Sequence, residues 1–341
     1  MGVSDGPERF LFVPVWLALG ATALASLAGV AVAGRWRYVP LLASALVLGV
    51  PHGAVDHLTL PRARGERVTP RSLAAFCLWY LLAAGAFLAV WFVAPAVAFP
   101  AFVGLTWFHW GQGDVHALAA WTPGRHPTTR VERALTAAVR GGLPMVVPLV
   151  AFPGVYRSVA VDVVTLFDSG AARTLDWLFR TDVRLALGGG LATLAAASLW
   201  LGYRRTGGDA AWRVDLAETG LLSAFFAAVP PVVAVGLYFT LWHSLRHVVR
   251  VARLDGGTSA ALDDGASGRA AVGFARDAAP FTLGGLALAA GTYAVVARGD
   301  PAVPTIAAVY LVVLSVLTVP HVAVVSLLDR EQRTWRPARR P

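Results

Sequence analysis

Residues 240–250, TLWHSLRHVVR, place two histidines four positions apart, directly after an apolar segment at 232–241. On an α-helix, His243 and His247 stack one turn apart on the same face, which is the spacing that offers two imidazoles to one metal ion. The apolar segment suits a membrane interior, where a polar side chain is costly and marks a functional site. The alternative role for this pair is a polar contact with a neighbouring helix.

Three other apolar stretches carry histidines at a similar point along their length. They are PHGAVDH at 51–57, FHWGQGDVH at 108–116 and PHVAVVSLLD at 320–329. The four stretches together predict a helix bundle that brings these histidines to one place.

The composition indicates an all-α, polytopic transmembrane helix bundle, which we treat as a single integral membrane domain over residues 1–341. Hydrophobic residues make up 57% of the chain and charged residues 14%, and the mean hydropathy is +0.62. Soluble domains are about one-quarter charged. All 29 basic residues are arginine, and the absence of lysine excludes a retinal Schiff base pigment. The single cysteine, Cys77, excludes an intrachain disulfide and a cysteine-based metal site.

Apolar runs of the length that a bilayer requires predict about ten spans. They lie at 10–34, 38–58, 72–94, 97–120, 133–152, 183–203, 212–229, 231–253, 277–297 and 302–328. The first run lacks a basic segment before it, so we expect a permanent span and not a cleaved signal. Pro230 and Pro231 decide the count, because a double proline divides two helices more readily than it kinks one.

The arginines support this count. Basic loops at 61–71 and 121–133 and the tail near 329–341 fall on one side of a ten-span bundle, and weakly charged connections fall on the other. This predicts a multi-pass protein of the cell membrane with both termini and the tail cytoplasmic, and only Arg35 and Arg37 lie on the wrong side. The charge pattern favours this role over binding to nucleic acid. Residues 154–182 predict an interfacial helix or two, and 255–269 a loop.

Polar residues accompany the histidines at helical spacing. Asp56 lies four residues after His52, where it can hydrogen-bond an imidazole and fix its tautomer, or cap a helix that restarts after Pro51 and Gly53. Gln112 lies one turn from His109.

The remaining polar residues of these stretches take other positions. His116 shares the face of His109, whereas Asp114 is rotated away and is expected to serve a different helix. The glycines at 111 and 113 allow another helix to approach closely. His126, in the RHP loop, is expected to be solvated.

Residue types alone leave the metal open, because imidazole suits zinc, copper, iron and nickel. HExxH is absent, which weakens a zinc protease, and the clustered boxes of a di-iron desaturase are absent as well. A haem protein with axial histidines and a transporter with a histidine proton relay are further alternatives. A transporter would require acidic residues at the bundle centre and inverted repeats, and neither is clear in the sequence.

PHGAVDH, FHWGQGD, WHSLRH and the terminal PHxxxVxxxD, in this order, resemble the Brp/Blh family of bacterial and archaeal β-carotene 15,15′-dioxygenases. The resemblance covers residues 45–330. It implies a membrane enzyme that uses Fe(2+) and O₂ to cleave the central double bond of β-carotene into two molecules of retinal, with a possible link to a retinal-binding opsin. By motif it assigns the iron ligands to His52, His109, His243 and His247.

The same resemblance implies that His57, His116 and His321 assist the ligands or handle protons. A substrate without polar groups must be recognised by a long apolar tunnel and reach it from the lipid. Six aromatic residues near the ligands are candidates for its wall or for ordinary membrane-facing positions: Trp107, Phe108, Trp110, Tyr238, Phe239 and Trp242.

Overall fold

The protein is all-helical in a computed structural model that describes residues 8–122, 126–297 and 301–335, which confirms the predicted fold class. The α-helices are α1 Glu8–Leu27, α2 Val39–Val47, α3 Pro51–Ala54, α4 Asp56–Arg64, α5 Pro70–Val93, α6 Pro95–Trp121, α7 Arg130–Ala151, α8 Pro153–Thr165, α9 Thr181–Thr206, α10 Ala210–Ala228, α11 Pro231–Leu237, α12 Leu245–Ala252, α13 Gly256–Asp263, α14 Ser267–Val296 and α15 Val303–Glu331. Short 3₁₀ helices occupy Gly34–Tyr38 and Ala171–Phe179, and a π-helix occupies Tyr238–Ser244.

Each of the ten predicted spans corresponds to a helical segment. In the described part of the chain, seven segments are long and apolar enough to cross a membrane. They are Gly34–Arg64, Pro70–Val93, Arg130–Ala151, Thr181–Thr206, Pro231–Ala252, Ser267–Val296 and Val303–Glu331. The double proline separates α10 from α11, as predicted. Residues 154–182, which we predicted to be interfacial, form α8 and the second 3₁₀ helix. The connection at 298–300 and the tail beyond 335 lie outside the described residues.

The prediction of a loop at 255–269 is wrong. Asp255 caps α13, because its carboxylate accepts a hydrogen bond from the backbone N–H of Thr258 at 2.8 Å, and α14 begins at Ser267. Hydrogen bonds from the backbone N–H and the hydroxyl of Thr258 lower the pKa of the Asp255 carboxyl, which lies outside the spans. A local cap therefore outweighs the glycine content of this stretch.

The second span is broken. α2 ends at Val47, α3 covers only Pro51–Ala54, and α4 restarts at Asp56. Since a proline removes a backbone donor and disfavours helix before it, Pro51 explains the first interruption. His52 thus lies on a short helical turn, and its position is set by the break.

The segment that carries the histidine pair is not a regular α-helix. His243 lies in the π-helix and His247 in α12. π-helical turns are rare and occur frequently at functional sites. The wider turn changes the direction of the side chains before Leu245, yet both imidazoles face His52, with ring centroids 5.5 and 5.4 Å from its ring.

Glycines let α6 and α7 approach closely. A Cβ atom on Gly111 would lie 2.0 Å from the carbonyl oxygen of Ala137, and one on Gly141 would lie 1.9 Å from that of Trp107. Small residues at helix interfaces allow such backbone contact in membranes, which confirms the predicted role of Gly111. α7 in turn packs on α9 and α10, and α15 packs on α4, α5, α8 and α14. The histidines lie where α6, α15 and the broken second and eighth spans meet.

Candidate metal centre

Five buried histidines from four separate segments form one cluster. The ring centroid of His52 lies 4.9 Å from that of His321, and the centroid of His109 lies 4.6 Å from that of His243 and 4.7 Å from that of His321. The ring of His247 lies 5.0 Å from that of His321. The structure therefore places the four histidines predicted from the motifs close together and adds His321 to them.

Several nitrogens of this cluster have no hydrogen-bond partner among the described residues. They are Nε2 of His52, Nδ1 of His109, Nε2 of His247 and Nε2 of His321. Nε2 of His109 and Nε2 of His243 lie 3.0 Å apart. Two such nitrogens can share a proton or bind one ion. A buried polar atom without a partner is costly, so the cluster has the character of a ligand cage.

Two sets of donor atoms are close enough to hold one ion. In His52, His109 and His321 the donors lie within 4.8 Å of one another, and the same holds for Asp56, His247 and His321. His321 belongs to both sets.

Backbone and carboxylate groups orient the rings. Nδ1–H of His52 donates to the carbonyl oxygen of Gly49 at 2.5 Å, which leaves Nε2 as the acceptor. Nδ1–H of His321 donates to Asp56, with nitrogen to oxygen distances of 2.8 and 3.0 Å. Of the two roles considered for Asp56, the structure thus shows the imidazole partner, and the imidazole belongs to the last helix. Orientation of this kind is typical of metal-binding histidines.

Other polar residues of the motifs lie around the cluster. Gln112 donates to the Asp329 carboxylate at 2.8 Å, and the Arg250 guanidinium donates to the same carboxylate at 2.7 Å. The ring of His57 is tilted against that of Phe281, with the two centroids 4.4 Å apart. The ring of His116 contacts Trp121 at 5.6 Å, away from the five clustered rings.

A buried charge network lies behind the cluster. Arg140 binds Asp215 at 2.9 Å and Glu218 at 2.9 Å, and Arg246 binds Asp114 at 3.1 Å and also Glu218. Asp114 therefore serves other helices, as predicted. The sequence did not reveal acidic residues at the bundle centre, but this network contains three of them, Asp114, Asp215 and Glu218, and each is paired with arginine. These pairs favour a structural role over a transport path.

The prediction that His126 is solvated is wrong. Its side chain is buried, and its Nε2 lies 2.7 Å from a carboxylate oxygen of Asp215. A loop position and neighbouring prolines suggested exposure, whereas the partner lies 89 residues away in sequence and could not be identified from the local pattern.

An apolar cavity of about 430 Å³ adjoins the cluster. His52, His109 and His321 line it. A stripe along one face of α15 forms part of its wall: Pro304, Ala307, Leu311, Leu314, Thr318 and His321. At 1.5 Å per residue, this stripe is about 25 Å long. The cavity is within the size range of ligand sites and extends along this stripe.

Few of the residues that line the cavity are polar. One is Asp162 of α8, outside the spans, whose carboxyl has a pKa raised by burial and lowered in part by Arg37. A carboxyl that protonates more easily costs less to place beside an apolar cavity.

Only part of the aromatic prediction holds. Trp110 and Phe239 line the cavity. The other four candidates are not among its lining residues in the described part of the chain: Trp107 donates to the carbonyl of Ala138, Phe108 is exposed, and Tyr238 and Trp242 are core residues. Membrane-facing and core positions take aromatic residues as readily as a tunnel does, so sequence could not separate them.

Comparison with known proteins agrees with the histidine motifs. Residues 43–329 match the model of a family described as β-carotene 15,15′-dioxygenase. The chain belongs to this family. The match spans every histidine of the cluster, and it confirms both the predicted resemblance and the prediction that the chain is an enzyme of the family.

Two relatives come from Halobacterium salinarum. A probable β-carotene 15,15′-dioxygenase named Blh is 46% identical, with 93% of this chain and 91% of that protein covered. A second one, named Brp, is 33% identical, with 96% of this chain and 99% of that protein covered. No solved structure matches the chain.

Proposed function

We propose that this member of the β-carotene 15,15′-dioxygenase family is an iron(II) enzyme that cleaves the central double bond of β-carotene with O₂. One β-carotene and one O₂ would give two molecules of all-trans-retinal, so all atoms are accounted for. The observation that carries the proposal is a group of buried imidazole nitrogens, without hydrogen-bond partners among the described residues, beside an apolar cavity.

The side chains present fit an iron ion. We assign its ligands to His52, His109, His243 and His247, as the motifs predict. Imidazole is an established ligand for iron, and a cage of neutral rings leaves the charge of the ion uncancelled. Bound iron(II) would supply the activation of O₂ that a polyene alone lacks.

The residues around the cage bind and position the substrate. The stripe on α15 presents apolar side chains over about 25 Å and ends at His321, so an extended hydrocarbon in the cavity would pass close to the cluster. Trp110 and Phe239 lie beside the rings, with Phe239 stacked on His243 at 6.1 Å. These side chains exclude water and hold the polyene by shape.

Location in the membrane supports the same activity. Seven helical segments fit a bilayer, and β-carotene dissolves in lipid, so substrate and product would exchange through the bilayer. We further propose the cell membrane as the site, cytoplasmic termini as the arginine pattern indicates, and a retinal-binding opsin as the acceptor of the product.

The test is to purify the full chain in detergent, load it with iron(II), and measure retinal formed per β-carotene consumed, with and without O₂. We expect two retinals per β-carotene and no product without O₂. His243→Ala and His247→Ala should lose both iron and product. His116→Ala is the control of the same residue type on α6 and should retain iron.

Folded, iron-loaded wild-type protein that leaves β-carotene unchanged would contradict the proposed substrate. Folded wild-type protein that binds zinc in preference to iron and hydrolyses an ester or peptide would instead favour a membrane metallohydrolase.

A further inference from the structure

We propose that His321 binds the same metal ion as the four motif histidines, through Nε2, and that Asp56 and Tyr80 position its ring. This inference rests on the proposed iron centre, and it adds a fifth imidazole to it.

The position of His321 is central in the cluster. Its ring lies 4.9 Å from that of His52, 4.7 Å from that of His109 and 5.0 Å from that of His247. It also belongs to both groups of donor atoms that could hold an ion. A residue outside the coordination sphere would not need to lie this close to three ligands at once.

His321 lies on the side of the cluster that lines the cavity. His52, His109 and His321 line the cavity, whereas His243 and His247 are not among its lining residues in the described part of the chain. An ion held among the rings would therefore have His321 on the side that faces the cavity. As a fifth ligand, His321 would hold the ion from the side of the cluster that lines the cavity.

Hydrogen bonds prepare His321 for this role. Nδ1–H donates to Asp56 at 2.8 Å, which leaves the lone pair on Nε2, and that buried atom has no partner among the described residues. The hydroxyl of Tyr80 donates to Asp56 at 3.2 Å and lies 3.3 Å from the carbonyl oxygen of Leu317. A carboxylate behind a histidine fixes the ring and makes the other nitrogen a better ligand.

The carboxylate has a further consequence. Asp56 and His321 are both buried, with 2% and 4% of their surfaces exposed. A negative charge one ring away from the ion offsets part of its charge without occupying a coordination position. The alternative is a protonated His321 in a plain ion pair with Asp56, which could not bind a metal.

The experiment compares the full-length wild type with its variants, each loaded with cobalt(II) in detergent. The visible absorption of cobalt(II) depends on the number of its ligands, so the spectrum reports on the site without catalysis. Wild type, His321→Ala and Asp56→Asn are loaded, dialysed against a chelator, and measured for metal per protein and for the spectrum. Gel filtration confirms that each is folded. Phe76→Leu, a cavity-wall residue without a ligand atom, is the control.

We expect His321→Ala to change the cobalt spectrum and to weaken metal retention by at least about tenfold. Asp56→Asn should weaken it by about 10- to 100-fold, as partners of metal-bound histidines generally do, and Tyr80→Phe by less. In His321→Gly, added imidazole should restore the wild-type spectrum, which a purely structural role would not produce.

An unchanged spectrum and metal content in folded His321→Ala, with both lost in His247→Ala, would overturn the inference and leave the proposed function standing. Absence of metal binding by folded wild-type protein would instead contradict the proposed iron centre itself. If His321→Ala does not fold, two other results would overturn the inference. One is that imidazole does not alter the spectrum of folded His321→Gly. The other is a wild-type spectrum in both Asp56→Asn and Tyr80→Phe.

Discussion

Replacement of Gly111 by alanine should move α6 away from α7 and impair the metal centre from a distance. The new Cβ would lie 2.0 Å from the carbonyl oxygen of Ala137, whereas a carbon to oxygen contact needs about 3.3 Å. The two backbones must therefore separate by about 1.3 Å. His109 lies two residues away on the same helix, and its Nε2 is 3.0 Å from that of His243.

A displacement of this size should affect both stability and activity. Overpacking costs about 1–3 kcal/mol, and a misplacement of about 1 Å at a reacting centre lowers the rate by on the order of 100-fold. The assay measures the melting temperature in detergent, iron per protein and retinal formation. Gly104→Ala is the matched control, because it lies on the same helix and a Cβ there meets nothing within 4 Å.

We expect Gly104→Ala to match wild type in all three measurements. If Gly111→Ala also matched wild type, the close contact between α6 and α7 would not position His109, and the reasoning would fail. Lower stability with unchanged iron content would show that the contact holds the bundle together but not the centre.

Three further predictions concern the cavity and the buried charges. Ala307→Phe should fill part of the cavity, so retinal formation should fall by about tenfold or more at unchanged iron content. A tenfold loss corresponds to an activation free energy higher by about 1.4 kcal/mol. Normal turnover would mean that β-carotene does not occupy this part of the cavity. Arg140→Leu removes the arginine that Asp215 and Glu218 share and should destabilise the protein by about 3–5 kcal/mol, measured by thermal unfolding. A wild-type melting temperature would contradict the paired network. His126→Ala removes one hydrogen-bond partner of Asp215 and should lower the free energy of unfolding by about 1–3 kcal/mol, with iron retained per folded protein. The solvated position expected from sequence predicts no change in melting temperature.

Much of the architecture follows from the sequence, because a helix satisfies its backbone polar groups with hydrogen bonds inside its own segment, as the interior of a bilayer requires. The apolar runs predicted the helical segments, and the double proline separated α10 from α11 as expected. Local hydrogen bonds were harder to foresee: Asp255 caps a helix where glycine suggested a loop, and the π-helix at Tyr238–Ser244 has no simple sequence signal.

The site was predictable in part. The histidines of WHSLRH and the other motifs carry enough signal to predict the cluster, and the family match supports the motifs. The PHVAVVSLLD stretch also predicted that His321 joins the other histidines, but its hydrogen bond to Asp56 could not be inferred from spacing. The cavity wall was equally hidden, since Ala307 and Leu311 look like any membrane-facing residues until the neighbouring helices are known.

The sequence by itself determined that this chain is an all-helical membrane protein with several buried histidines, because composition and helical spacing are local properties. Only the tertiary structure decided which histidines meet, that Asp56 faces His321 across 265 residues of sequence, and that His126 is buried against Asp215. Those pairings depend on how closely α6, α7 and α15 pack and on where the second span breaks, and such distances are set jointly by many side chains rather than by any one segment.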